Sequence, residues 1–378
     1  MQRGFAVAEF EARTIRAQAL MQVAGIDALL LTTEADIRYF TGFLTRFWES
    51  PSRPWFAIVP AAGKPIAVIP SIGAALMAQT WIDDIRTWRA PDMTDDGVSL
   101  LIDTLNAQGD VIGTPMGAES HLRMPLADWV RVQAGVRGKI RDDARIVQQL
   151  RAVKSDAEIA KIAQACTIGG RAFARVPEIA REGVPLSQVF RDFQRLCLEE
   201  GGDWVPYLAG ACASGGYGDV ISPASDAALA QGDVLMLDTG LVWDGYFCDF
   251  DRNFCIGKVA SQVAEAHDRL IAAVDAAADI ARAGTTAAEL FRAMDAIVTG
   301  GSGGSDAGRL GHGLGMQLTE GLSLIPDDHT VLEPGMVITL EPGIEITEGR
   351  IMVHEEDIVI TDGAPRFLSP RATALVQL

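Results

Sequence analysis

The 378-residue chain carries 50 Asp plus Glu against 32 Lys plus Arg, a net charge of −18, in an ordinary globular mixture of 48% hydrophobic and 22% charged residues. That length predicts two domains, and the negative charge repels phosphate backbones and acidic membrane surfaces, which excludes nucleic acid and membrane as partners. No window approaches the ~18 apolar residues that span a bilayer, and Cys166, Cys197, Cys212, Cys248 and Cys255, scattered in apolar runs, predict reduced core thiols of a cytoplasmic protein.

Residues 8 to 24 have acids and arginines at helical spacing, which predicts a helix ending at Gly25 and not a signal peptide. "DALLLT" at 27 to 32 reads as a buried strand, "WFAIVPAAGKPIAVIP" as two strands joined by a turn, and "DVIGTP" at 110 to 115 as another. Helical segments near 72–80, 96–107 and 125–133 separate them, giving an α/β domain over 1–146. From 147 to 378 the texture changes to α+β. Ser155 with Glu158 and Thr286 with Glu289 form capping boxes, and further helices are predicted over 187–200 and 261–283. Strands are predicted near 234–241, 246–254, 336–341 and 351–360, and "TGGSGGSDAG" at 299–308 as a flexible loop.

"MLDTGLVWDGYFCDFDR" places acids inside strands, where a carboxylate is costly unless something positive meets it. Asp244-Gly245 signals a two-residue hairpin turn. Pairing around it sets 243 opposite 246, 240 opposite 249 and 238 opposite 251, so Asp238, Gly240, Asp249 and Asp251 share one face. Gly240 leaves room between the carboxylates, and Asp238 and Asp249 come within reach of a shared cation pair.

Three later segments extend the set. "RLGHGLG" holds His312 between glycines, "ITLEPG" ends an apolar strand in Glu341, and "IMVHEEDIVI" aligns Ile351, Val353, Glu355, Asp357 and Val359 on one strand face. Two Asp, two Glu and one His form a hard, oxygen-rich donor set, suited to two adjacent divalent ions such as Mn, Co, Fe or Zn and to aminopeptidase-type hydrolysis.

"LDTG" with an acid eleven residues on, "GHGLG", "LEPG" and "HEED" together resemble the pita-bread metallopeptidases: aminopeptidase P, prolidase, methionine aminopeptidase and the creatinases. The resemblance covers both domains and implies a C-terminal pita-bread domain behind a creatinase-type α/β N-terminal domain. It implies metal ligands at Asp238, Asp249, His312, Glu341 and Glu355, with Asp249 and Glu355 bridging and Glu341 handling the proton of the attacking water. Two divalent ions, with manganese first in order, would hold a bridging hydroxide that attacks an amide.

The chain also departs from that pattern. Relatives carry a histidine seventeen residues before the first aspartate, where this sequence has Ile221, and another seven residues after the metal histidine, where it has Thr319 followed by Glu320. Val353 stands where an arginine is frequent, and Asp251 where relatives commonly have a small hydroxyl residue. His354 is assigned to the opposite strand face in a supporting role. Ile and Thr hold no proton at neutral pH, so Ile221 and Thr319 would line a substrate site lacking the usual catalytic histidines.

Two functions follow from the resemblance. One is an Xaa-Pro aminopeptidase- or dipeptidase-like hydrolase with Glu341 as base. The other is a creatinase-, ectoine hydrolase- or dimethylsulfoniopropionate lyase-like enzyme for a small zwitterion, with Asp251 or Glu320 transferring the proton. Creatinase-like dimers also bring an N-terminal loop to the neighbour's active site. A homodimer is therefore expected to place Arg46, Phe47, Trp48 and Arg53 where they can clasp a substrate carboxylate and cover a cation. A third class, a catalytically dead binding module, is disfavoured by the intact ligand set.

Overall fold

Gly25 stops the first helix, α1 (Val7–Ala24), by turning left-handed at φ 64° and donating its amide back to Gln22 and Met21. The computed structural model describes residues 2–50, 54–305 and 308–378, which fold as two units divided between Arg151 and Ala152.

In the first unit, β1 (Ala28–Leu31), β2 (Phe56–Pro60), β3 (Ile66–Pro70), β4 (Ile85–Trp88), β5 (Val111–Thr114) and β6 (Lys139–Asp142) make one sheet in the order β4-β3-β2-β1-β5-β6. β2 runs antiparallel to β1 and β3, and the remaining pairs are parallel. The helices are α2 (Glu34–Thr41), α3 (Ala74–Met77), α4 (Val98–Asn106), α5 (Leu126–Gly135) and α6 (Ile146–Ala152). Leu30, Phe56, Ile58 and Val68 of the sheet pack on Leu101, Leu105 and Val132, each such side chain contributing about 1.5–3 kcal/mol by leaving water. The edge strands β4 and β6 escape sequence reading because "IRTW" and "KIRD" are polar and largely half-exposed. Phe47 lies edge-on to Trp55 at 6.0 Å, Trp48 is buried, and Arg46 faces Glu49 at 3.7 Å. Arg53 lies outside the described residues.

The second unit has α7 (Asp156–Ala174), α8 (Leu186–Glu199), α9 (Ser261–Ile280) and α10 (Ala287–Val298), and both capping boxes form. Its strands are β7 (Trp204–Ser214), β8 (Asp233–Trp243), β9 (Tyr246–Phe247), β10 (Phe250–Cys255), β11 (Val337–Leu340), β12 (Gly343–Thr347), β13 (Arg350–Val353), β14 (Glu356–Val359), β15 (Arg366–Phe367) and β16 (Val376–Gln377). One sheet has the order β16-β10-β8-β7 with β9 on β8, a second β11-β14-β15, and β12 pairs with β13. α9 and α10 bury Leu270, Val274, Leu290 and Met294 in one core with Met236, Ile338, Leu340 and Ile358. On the other side, Phe173 of α7 meets Phe193 of α8 at 4.8 Å and Phe250 of β10 at 5.2 Å.

One strand went unpredicted and two expectations are corrected here. β7, eleven residues long, has no clean alternation because Pro206 falls where its register shifts against β8. The single strand expected over 351–360 is broken at His354–Glu355, so that β13 pairs with β12 and β14 with β11. The space above Gly240 is filled, since a Cβ there would lie 2.2 Å from Leu318 Cδ1. Of the segment 299–308, residues 306 and 307 lie outside the described residues, and the amides of Gly304 and Ser305 donate to Asp295. Among the described residues no helix is long and apolar enough to cross a membrane.

Candidate metal centre

Asp244 and Gly245 adopt φ 45° and 70°, the two positive values that a tight hairpin turn requires. Trp243 then pairs with Tyr246, and beyond a gap at Cys248–Asp249 the same register resumes with Asp251 opposite Asp238. Of the three pairs that the sequence predicts, 243–246 and 238–251 form, while Asp249 lies in the gap and does not pair with Gly240. Asp244 itself is held by Lys161.

Asp249 sits in that gap, where its amide donates to Asp357 Oδ2 at 3.0 Å. Its own Oδ2 lies 3.4 Å from His312 Nε2. The His312 loop is tied to β11, with the Thr339 amide donating to His312 O at 2.7 Å and the His312 amide to Thr339 Oγ1 at 3.2 Å. His312 Nδ1 is 3.0 Å from Gly313 O. A carbonyl only accepts, so Nδ1 carries the proton and the Nε2 lone pair is left available to a metal ion. Burial and then Arg309 hold this imidazole down to about 4, hence neutral. Glu355 enters from the break between β13 and β14. Ligand atoms of Asp249, His312 and Glu355 all lie within 4.8 Å of one another, and all three residues are buried.

Asp238 and Glu341 stand outside that 4.8 Å group but act electrostatically on both Asp249 and Glu355. Tyr207 of β7 donates its hydroxyl to Asp238 Oδ2 at 2.9 Å, and the Glu341 amide is fixed on Leu310 O at 3.0 Å. Burial, then neighbouring acids, raises Asp238, Asp249 and Glu355 well above the usual carboxylate range. Burial and Asp251 push Glu341 up to about 7. Asp238 Oδ1 and Glu355 Oε1 are buried without any hydrogen-bond donor. Buried carboxylates that repel one another, bare oxygens and a neutral imidazole are what a divalent cation site requires, so the residues fit such ions.

The other expected residues are placed as follows. Glu320 is buried against Lys154 at 2.9 Å and also accepts the Gln317 amide. Thr319 Oγ1 accepts from Arg309 at 3.2 Å. Ile221 is 80% exposed, so it is not gathered into the buried cluster. The strand break turns His354 between Asp251 and Glu356, with ring nitrogens at 3.4 and 3.3 Å. Sequence reading missed Tyr207, which lies on the unrecognised β7, and it missed that Asp357 supports Asp249. An acid on the face assigned to Glu355 was the only signal for the latter.

The profile of metallopeptidase family M24 matches residues 160–362, and that of the creatinase/prolidase N-terminal domain matches 13–153. The chain belongs to metallopeptidase family M24. It is 30% identical over 369 residues to the probable dipeptidase PepE of Mycobacterium tuberculosis, covering 96% of this chain and 95% of that one. It is 30% identical over 257 residues to the Xaa-Pro dipeptidase of Pyrococcus horikoshii, covering 67% and 72%. The crystal structure of dipeptidase PepE from Mycobacterium ulcerans superposes with a TM-score of 0.86 at 26% identity over 99% of each chain. The M24 assignment carries with it the pita-bread fold, the metallohydrolase class and divalent metal ions.

Proposed function

We propose that this M24 protein hydrolyses dipeptides, Xaa-Pro dipeptides among them, at a pair of divalent ions held by Asp238, Asp249, His312, Glu341 and Glu355, with manganese the first candidate. The observation that carries the reading is the convergence of Asp249, His312 and Glu355 within 4.8 Å, beside the bare oxygens of Asp238 and Glu355. When bound, the ions would supply Lewis acidity to the amide carbonyl and to the attacking water.

The remaining work belongs to the side chains. Asp249 and Glu355, grouped with His312, would hold the ions together with Asp238 and Glu341. Glu341 accepts the proton of the attacking water and returns it to the leaving amine. Tyr207 and Asp357 hold Asp238 and Asp249 in place, which keeps the centre aligned. The closed, buried setting of these groups keeps bulk water from screening them.

A second reading, action on a small zwitterion or cation, is favoured by the exposure of Ile221, by Thr319 in place of an imidazole and by the buried Asp251. The test is a screen on the manganese-loaded enzyme with Ala-Pro, other dipeptides, creatine, ectoine and betaine-like compounds. Turnover of dipeptides supports the first reading; turnover of the zwitterions alone overturns it. Histidine restored at Thr319 is expected to raise Xaa-Pro cleavage.

The reading places the enzyme in the cytoplasm, consistent with five free cysteines. It also includes a homodimer in which the Arg46–Phe47 segment serves the neighbouring copy, an expectation taken from the creatinase resemblance that sedimentation velocity can test.

A further inference from the structure

Asp251 is an acid beside the centre that the five-ligand set leaves without a role. It is 1% exposed, and neither carboxylate oxygen has a hydrogen-bond partner. His354 Nδ1 stands 3.4 Å from Oδ1, but that ring is shared, its Nε2 being 3.3 Å from Glu356 Oε1. Arg252, next in sequence, turns to Glu355 O and Glu356 Oε2. Tyr217 directs its hydroxyl to Asn253 and Val353. Oδ2 is therefore a buried carboxylate oxygen that meets no donor, a state that is costly without a cation.

The ladder shows where that cation belongs. Asp251 is the direct cross-strand partner of Asp238, whose Oδ1 is equally bare. Side chains directly opposite in an antiparallel pair have Cβ atoms about 4.5–5.5 Å apart, a separation that one ion can bridge. Asp251 is also the foremost charge acting on both Asp238 and Glu341.

We propose that Asp251 is a sixth protein donor to the metal pair, presenting Oδ2 while His354 steadies Oδ1. The inference rests on the metal-centre reading above and deepens it. Five carboxylates and one neutral imidazole leave the centre with one negative charge more than two divalent ions neutralise. Such a donor set selects hard, oxygen-seeking ions over softer ones.

The test uses the full chain, stripped by chelation and reloaded with Mn(II) or Zn(II), as wild type, Asp251→Asn and Asp251→Ser. Affinity is read by competition with a fluorescent chelator, coordination by X-ray absorption at the manganese edge, and folding by the melting temperature of the stripped protein. Wild type is expected to bind two Mn(II). Both variants should weaken at least one site by about 10-fold or more, with fewer oxygen neighbours, and lose less affinity for Zn(II). Stripped Asp251→Asn should melt no lower than wild type, because Asp251 Oδ2 has no hydrogen-bond partner to lose. Unchanged Mn(II) affinity with an unchanged oxygen count would overturn the proposal. So would a lower melting temperature with unchanged affinity, which marks Asp251 as merely the counter-ion of His354. Wild type that binds no Mn(II) would instead overturn the centre itself.

Discussion

Asp249 Oδ2 lies 3.4 Å from His312 Nε2, although one residue sits in a hairpin gap and the other in a glycine-flanked loop tied to a different sheet. Their meeting, completed by Glu355, is what converts a set of isolated acids into a site. Asp249→Asn removes a proposed metal donor and is expected to cut bound metal per chain and to lower kcat/KM by about 100-fold or more. Metal analysis beside kinetics checks this, and full activity in that variant would rule out the metal mechanism.

Tyr207 acts through Asp238. Removing its hydroxyl in Tyr207→Phe leaves Asp238 with no donor on Oδ2, and metal affinity is expected to fall about 10-fold while the fold persists. Chelator competition and circular dichroism separate the two effects.

The Lys154–Glu320 pair, buried on both sides, is sensitive to losing one partner. Lys154→Met removes the cation that faces the buried Glu320 carboxylate and is expected to cost about 3–5 kcal/mol, part of which Lys154→Met with Glu320→Gln should recover. Urea denaturation measures both. A double variant that recovers stability yet loses all turnover would give Glu320 a part in proton transfer.

Stability of the stripped protein should fall as pH rises from about 6.5 to 8.5. Burial, then neighbouring acids, raises Asp238, Asp249 and Glu355 well above their ordinary values, while Glu341 and Asp357 sit at about 7. A raised folded value means that the native state holds the extra protons, so these groups stabilise below the unfolded value of about 4 and progressively lose that contribution as pH passes the folded value. His267 and His312, lowered to about 4, have the opposite sign, but their effect ends near the unfolded value of about 6.5. Above that pH the acids remain, joined by His354, which Asp251 and Glu356 hold above its ordinary value against the cost of burial and which therefore carries the same sign. Melting curves at several pH values check the sign, and reloading with Mn(II) should flatten the slope.

Much of the centre was legible because strand alternation and a two-residue turn are local rules. Asp244-Gly245 fixes the register, and the register alone places Asp238 opposite Asp251. What escaped depended on partners distant in the chain. β7 is held by β8 rather than by its own pattern, and Tyr207 was lost with it. The break at His354–Glu355 arises because two different strands claim the two halves of one apolar run. Ile221 shows the same limit on the surface, since counting along the chain cannot tell whether a loop side chain turns inward.

The proposed ligands are spread from Asp238 to Glu355, and the break that delivers the last of them lies close to the end of the second unit. During synthesis, Glu341 and Glu355 emerge only after the other donors have been made. A chain released early therefore lacks two of the five proposed donors.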